Sequence, residues 1–423
     1  MLADPKAAIR KANGASYAPG SPARFSPLAA FGFGAFLLAL AALTLTAKGQ
    51  RPVSLKPAAR FSRGGNAAEV PMEIAANAVF VPVQIGAGRP TSWLLDTASP
   101  DTAAGPQAAQ ENAGANSARL MLPGVEFPGT NLTVHSFETL GPWYGLRVGG
   151  VIGNDILTGL VAELDYARLS IELYQPSSYR RPGHMKKLPI RWVNRLPTVR
   201  ARLRLGGQTI QGDFALNTGG SSGVVVFRKF LAAQRLASLM GKTIPGEAID
   251  ASGEEAATLM RGEWIEFGPV RVSQPIVAIA GQNDLSAPAG GGRSPKDSVA
   301  GWIGGGILRK FRLVLDFPQN CVFLAPNRNF VFPIAADASG ATITAAGPSL
   351  DEFEVRGVRE GSPAAQAGLQ PGDRIVLIDG EEASDFSLDQ LRNLLCQAGH
   401  SPVLVVERLG RRVRIDLRLQ PLL

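Results

Sequence analysis

The feature that most constrains this 423-residue chain is that part of it occurs twice. FVPVQIGAGRPTSWLLDTAS (80–99) is matched by VRARLRLGGQTIQGDFALNTGG (199–220). Each copy has an alternating strand, a glycine turn and a second strand. One then ends in Asp-Thr-Ala-Ser, the other in Asn-Thr-Gly-Gly. Downstream, GGVIGNDILTGLVAELDYARLSIEL (149–173) is matched by AGWIGGGILRKFRLVLDFPQNCVFL (300–324). The offsets are 121 and 151 residues, so the copies keep their order while loop lengths differ. Two ordered motifs in each copy mean a duplicated unit, and such a repeat fixes the architecture before any local assignment. The copies define two lobes, 78–176 and 198–330, joined by a Pro- and basic-rich linker over 177–197. The segments between motifs alternate with period two, and no long stretch keeps a 3.6 period, so the fold class is mainly β. One helical run is expected over 227–240, and a Gly/Ser/Pro-rich loop over 281–299.

Charge separates the chain's start from the rest. Residues 1–63 carry nine basic and one acidic side chain, which equals the whole net charge of +8. They surround Leu28–Ala47, twenty residues without a charge, about the ~20 that span a bilayer as a helix. This places a membrane surface, and not nucleic acid, beside the basic residues. The expected order is a leader (1–27), an apolar helix (28–47) and a stalk (48–77). The apolar helix is either an uncleaved anchor or a cleaved signal segment, with the folded part exported. Three histidines and two cysteines in the whole chain leave no multi-histidine metal site and no disulfide scaffold, so neither metal nor cofactor is expected.

An Asp-Thr-small triplet at a strand end, followed later by apolar-apolar-Gly, resembles the aspartic proteases of the pepsin and retropepsin type. The resemblance covers roughly 78–327. It implies two retropepsin-like β-barrel lobes forming a pepsin-like bilobal unit, each lending one loop to a shared site. On this resemblance the catalytic positions are Asp96, Thr97, Asn217 and Thr218. Ala98, Ser99 and Gly219 complete the loops. Ile152, Gly153, Ile303 and Gly304 pack behind them, and each Thr hydroxyl bonds across to the opposite loop. Two adjacent carboxylates share one proton, so that one activates water while the other donates to the scissile carbonyl. Position 217 departs from the pattern. An amide imitates the neutral carboxyl in shape but carries no exchangeable proton. Three readings follow: a weak aspartic-type endopeptidase using Asp96 alone or a second Asp96 from a homodimer partner; a catalytically inactive fold kept for peptide binding; and a recruited acid such as Asp213. Asp155 is expected to cap a short helix, Asp165 and Asp316 to serve structure, and Trp143-Tyr144 to pack in an exposed loop, with walling of a substrate cleft as the alternative. The nine Lys/Arg of 180–204 are expected on a solvated linker and strand face.

Residues 340–423 differ in composition, with nine basic and twelve acidic side chains. Gly361-Ser362-Pro363-Ala364, Ala367-Gly368-Leu369, Pro371-Gly372-Asp373 and Ile378-Asp379-Gly380 together resemble a bacterial PDZ domain, an α+β fold. The resemblance implies a groove in which a peptide adds as a strand beside a helix. Gly347, Leu350, Leu388, Leu391 and Leu395 are its candidate lining residues, with Ala345–Leu350 matched to the loop that holds a terminal carboxylate. A trypsin-like serine protease lacks its triad here. A metalloprotease of the site-2 type lacks His-Glu-x-x-His. The expectation is a membrane-anchored, aspartic-type peptidase-like protein that cleaves or binds extended peptides.

Overall fold

The computed structural model describes residues 59–110, 118–236, 241–280 and 299–423. The expected leader and apolar helix, the stalk before 59 and most of the 281–299 loop lie outside them. Among the described residues the protein is mainly β, in four sheets. No helix among them is long and apolar enough to cross a membrane.

The duplication is visible in strand pairing. In the first half, strand Ala78–Ile85 runs antiparallel to Thr91–Leu95, and Gly150–Ile152 lies parallel to the latter, with Leu95 opposite Ile152. In the second half, Leu196–Leu205 pairs with Gln208–Asn217, and Gly301–Gly304 lies parallel, with Leu216 opposite Ile303. A third sheet belongs to both halves. Val161–Asp165 and Phe311–Asp316 pair antiparallel at its centre, with Val161 opposite Asp316 and Asp165 opposite Arg312. These are the same strand from each copy, each residue meeting the partner's counterpart as at a two-fold interface. One apolar core, from Val79 and Trp93 to Phe311 and Leu324, runs through both halves.

Two segments expected to be irregular are strands that complete this shared sheet. Ala67–Pro71, assigned to the stalk, pairs with Ser170–Tyr174; Lys186–Pro189, assigned to the linker, pairs with Cys321–Leu324. The alternation was present but disguised. Ala68 and Val70 are buried between exposed neighbours, as are Leu188 and Ile190 between Lys187, Pro189 and Arg191. The basic stretch is correspondingly paired and not simply solvated: Arg191 and Arg200 meet Asp213, Arg195 meets Asp101, and Arg202 meets Glu266. The expected helix over 227–240 is a short one, Arg228–Ala233.

The C-terminal sheet runs Ala341–Ala346, Glu352–Val358, Arg374–Ile378, Val403–Arg408, Arg411–Asp416. It encloses its own core with helix Leu388–Leu395. Local chemistry places each turn. Ser362 caps a helical turn by accepting from Ala365 N, with Pro363 next. Asp379 and Gly380 both take positive φ (51° and 91°) as a tight hairpin requires. Ser387 and Gln390 form a reciprocal capping box.

The strand behind the second loop tolerates no side chain at its start. A Cβ on Gly301 would lie 1.8 Å from the Val225 carbonyl oxygen. Gly301→Ala should therefore lower the unfolding free energy by about 3 kcal/mol or more, read as a urea midpoint shift at unchanged m-value.

Candidate functional site

The site grows out of the two strand ends that the duplication brings together. Thr97 Oγ1 donates to the Leu216 carbonyl (2.5 Å) and accepts from Thr218 N (3.1 Å). Thr218 Oγ1 donates to the Leu95 carbonyl (2.5 Å) and accepts from Thr97 N (3.2 Å). Both threonines are fully buried. This reciprocal network locks the 96–99 loop against the 217–220 loop of the same chain, so the neighbour of the Asp96 loop is the Asn217 loop. Behind each loop the apolar-apolar-Gly elements perform matching tasks. Ile152 and Ile303 are buried. Asn154 N donates to Ser99 O and Gly305 N to Gly220 O, both at 2.8 Å. A Cβ on Gly153 would lie 2.6 Å from Asp101 backbone, and one on Gly304 2.4 Å from Ser222 O. Gly219 is required by proximity too, since its Cβ would stand 2.8 Å from Asp96 Cγ.

Asp96 is 3% exposed, and its Oδ1 accepts from Ala98 N at 2.7 Å. Burial, aided by the charge of Asp250, pushes its carboxyl up to about 7, against the lowering pull of the Ala98 and Ser99 amides. Asn217 is wholly buried, and neither its Oδ1 nor its Nδ2 has a protein partner. A ligand's peptide group offers what this amide lacks, one acceptor and one donor.

Other carboxylates are placed as follows. Asp213 is buried and ion-paired with Arg191 and Arg200, so it is not free to serve as a recruited acid. Asp155 does not cap its helix, where Gly153 is the N-cap; it accepts from Thr102 Oγ1 (2.6 Å) and Ile156 N (3.0 Å). Asp165 and Asp316 bind backbone amides of the turns that follow them. Two residues of the site were missed as such. Tyr144 is buried, contrary to an exposed-loop position, and donates its hydroxyl to Gly219 O at 3.1 Å. Asp250 ends a strand of the second half, buried and raised by desolvation, and holds Ser252 N at 2.8 Å. The Asp-Ala-Ser-Gly hairpin signal was visible at 250–253, but its approach to Asp96 is purely tertiary.

In the C-terminal module, Leu388, Leu391 and Leu395 are buried in its core. Leu395 also lines a cavity of about 610 Å³ together with Ala341, Ile343 and Cys396. Gly347 and Leu350 sit in the turn at the other end of strand Ala341–Ala346. Leu350 there lines a second cavity of about 500 Å³, with Pro348, Arg89 and Arg147.

Comparison with known proteins adds three findings. A family model of the PDZ domain matches residues 354–408. Curated relatives named "putative zinc metalloprotease" occur in Brucella suis biovar 1 and Brucella melitensis biotype 1. Each is 36% identical over 100 residues, covering 24% of this chain and 25% of theirs. A third, from Agrobacterium fabrum, is 42% identical over 60 residues, or 14% and 16%. The chain thus spans about a quarter of the length of the first two relatives. Among solved structures, a photosystem II D1 C-terminal processing protease aligns over 20% of this chain and 23% of its own at 30% identity and TM-score 0.19. The aspartic proteinase of Irpex lacteus aligns over 63% and 98% at 14% identity and TM-score 0.39. The expectation of an aspartic-type endopeptidase is overturned here, because the names of the curated relatives point to a metallopeptidase instead. The described residues do not fit a zinc centre either. Among the described residues no group of three or more His, Cys, Asp or Glu could hold a metal ion, and the three histidines are all exposed. What the comparison does establish is that the C-terminal module is a PDZ domain.

Two outcomes test the site. Thr218→Val keeps shape but strands the Leu95 carbonyl and the Thr97 amide in a dry interior, and should cost about 3 kcal/mol. The double variant with Thr97→Val should lose less than the sum, because one network is broken twice. Asp96 has a folded value above its unfolded one, so the native state keeps a proton that the unfolded chain releases between about pH 4 and 7. Stability contributed by the neutral acid is present below that window and lost across it, on the order of 4 kcal/mol. Asp96→Asn should match wild type near pH 4 and exceed it in denaturant midpoint at pH 8.

Proposed function

We propose that this chain recognises extended peptides through its PDZ domain and through the cleft of its duplicated core, and that the core captures peptides without cleaving them. The observation that carries the reading is Asn217. It stands where the repeat requires the counterpart of Asp96, buried and without a protein partner for either end of its amide. A neutral Asp96 and an unpartnered amide supply hydrogen-bond donors and acceptors, which suits binding a peptide backbone. They do not supply the shared proton that hydrolysis by a carboxylate pair needs. The relatives' names set such recognition beside proteolysis. The uncharged run 28–47 supports a place at a membrane, and its position ahead of the folded domains favours their export.

The test is a random extended-peptide library presented to the full chain in detergent. Binding is read by fluorescence polarisation and cleavage by mass spectrometry from pH 4 to 7, with and without chelator. Capture with every peptide intact is the expected result, and Asn217→Ala should weaken core-dependent capture about tenfold. Cleavage that the chelator stops would return the protein to the chemistry of its relatives. Absence of any captured peptide would remove the recognition reading.

A further inference from the structure

Peptides enter a PDZ domain between a helix and an edge strand, here Leu388–Leu395 and Ala341–Ala346. In this chain a loop of the core lies against both. A Cβ on Gly145 would stand 3.0 Å from Leu388 Cβ, and one on Gly141 3.2 Å from Leu350 Cδ1. Between those points Arg392 of the helix donates to two carbonyls at once: Trp143 O of the core loop at 2.7 Å and Ile343 O of the edge strand at 2.9 Å. A carbonyl of the edge strand is the kind of group an added strand pairs with, and here it is already taken. Trp143 is buried, with the Arg356 guanidinium 4.9 Å from its ring centre. The contact is clasped at its rim. Ala76 N donates to both oxygens of Asp389 (2.9 and 3.0 Å), Arg147 donates to Pro348 O (2.6 Å), and Arg359 donates to Pro245 O (2.8 Å). The next residue of the same loop, Tyr144, reaches the other way to Gly219 O beside Asp96.

We infer that the loop Gly141–Arg147 holds the PDZ groove shut in cis and couples it to the core cleft. An extended peptide adding to Ala341–Ala346 has to displace the Arg392–Trp143 contact. Moving Trp143 draws Tyr144 from Gly219, so the groove and the 217–220 loop open together. The coupling is reciprocal: a ligand that fixes Tyr144 on Gly219 keeps the groove closed. The inference rests on reading the PDZ domain as a peptide binder, but its test needs no ligand and stands apart from that reading.

The experiment is amide hydrogen exchange on the full chain, comparing wild type with Arg147→Ala/Asp389→Ala, two clasp residues that touch neither Asp96 nor Asn217. Exchange at 143–147 and at 218–220 should rise together, about tenfold for two lost hydrogen bonds. The hairpin 403–416 should stay protected, which shows that the domain remains folded. Asp389→Asn keeps an acceptor for Ala76 N and should behave as wild type. Arg147→Ala alone, at an exposed rim, should give the same pattern at smaller amplitude and serves if the double variant unfolds. A rise confined to 143–147 would overturn the coupling, and no rise at either place would overturn the lock.

Discussion

Two threonine hydroxyls, each donating to a carbonyl of the opposite half, decide what the centre of this molecule can be. They are buried where no water competes, so each bond left unmade would cost the full desolvation of its partners. Because the network is reciprocal, it forces the two strand ends into one relative position. The shared sheet, with the same strand from each copy paired across its centre, imposes the same two-fold relation from below. Glycine at 219 follows from that closeness, since a side chain there would collide with Asp96.

Within this symmetric frame the chemistry is asymmetric. A carboxyl beside a second carboxyl can divide a proton with it, whereas one beside an amide has nothing to share. Asp96 is nonetheless kept neutral to about pH 7, by burial first and by the charge of Asp250 second. The two loops are therefore held in matching positions while one carries a carboxyl and the other a hydrogen-bonding amide. Architecture and activity are separable, and the loops that hold the geometry do not by themselves license the reaction.

Much of this was legible in the sequence because it is written locally or by repetition. The duplication alone aligns Asp96 with Asn217 and Ile152-Gly153 with Ile303-Gly304. The turns of the PDZ domain carry their own chemistry in Ser362-Pro363, Gly368 and Asp379-Gly380. What escaped is long-range or disguised. Strands Ala67–Pro71 and Lys186–Pro189 alternate correctly, but alanine, lysine and proline mask the period, and their partners lie about 100 and 135 residues away along the chain. Locally Tyr144 reads as a loop residue and Asp250 as a hairpin end. Their part in the site comes from a fold that brings residues of both halves to one place, which no periodicity records.

The junction between core and PDZ domain is built differently from either interior. Each has its own apolar core, and several contacts between them are arginine or carboxylate groups bonded to main-chain atoms of the other side. Such bonds are worth about 1 kcal/mol each, since water replaces them once the surfaces part. Loss of several therefore frees the domain without unfolding either core, as is usual for polar interfaces within one chain. Arg392 is the exception. Its guanidinium is half-buried, and desolvation lowers its pKa, so it has to keep its carbonyl partners or regain water. That makes the Trp143 contact the point where the junction resists opening, and an incoming strand, which brings carbonyls of its own, can relieve it.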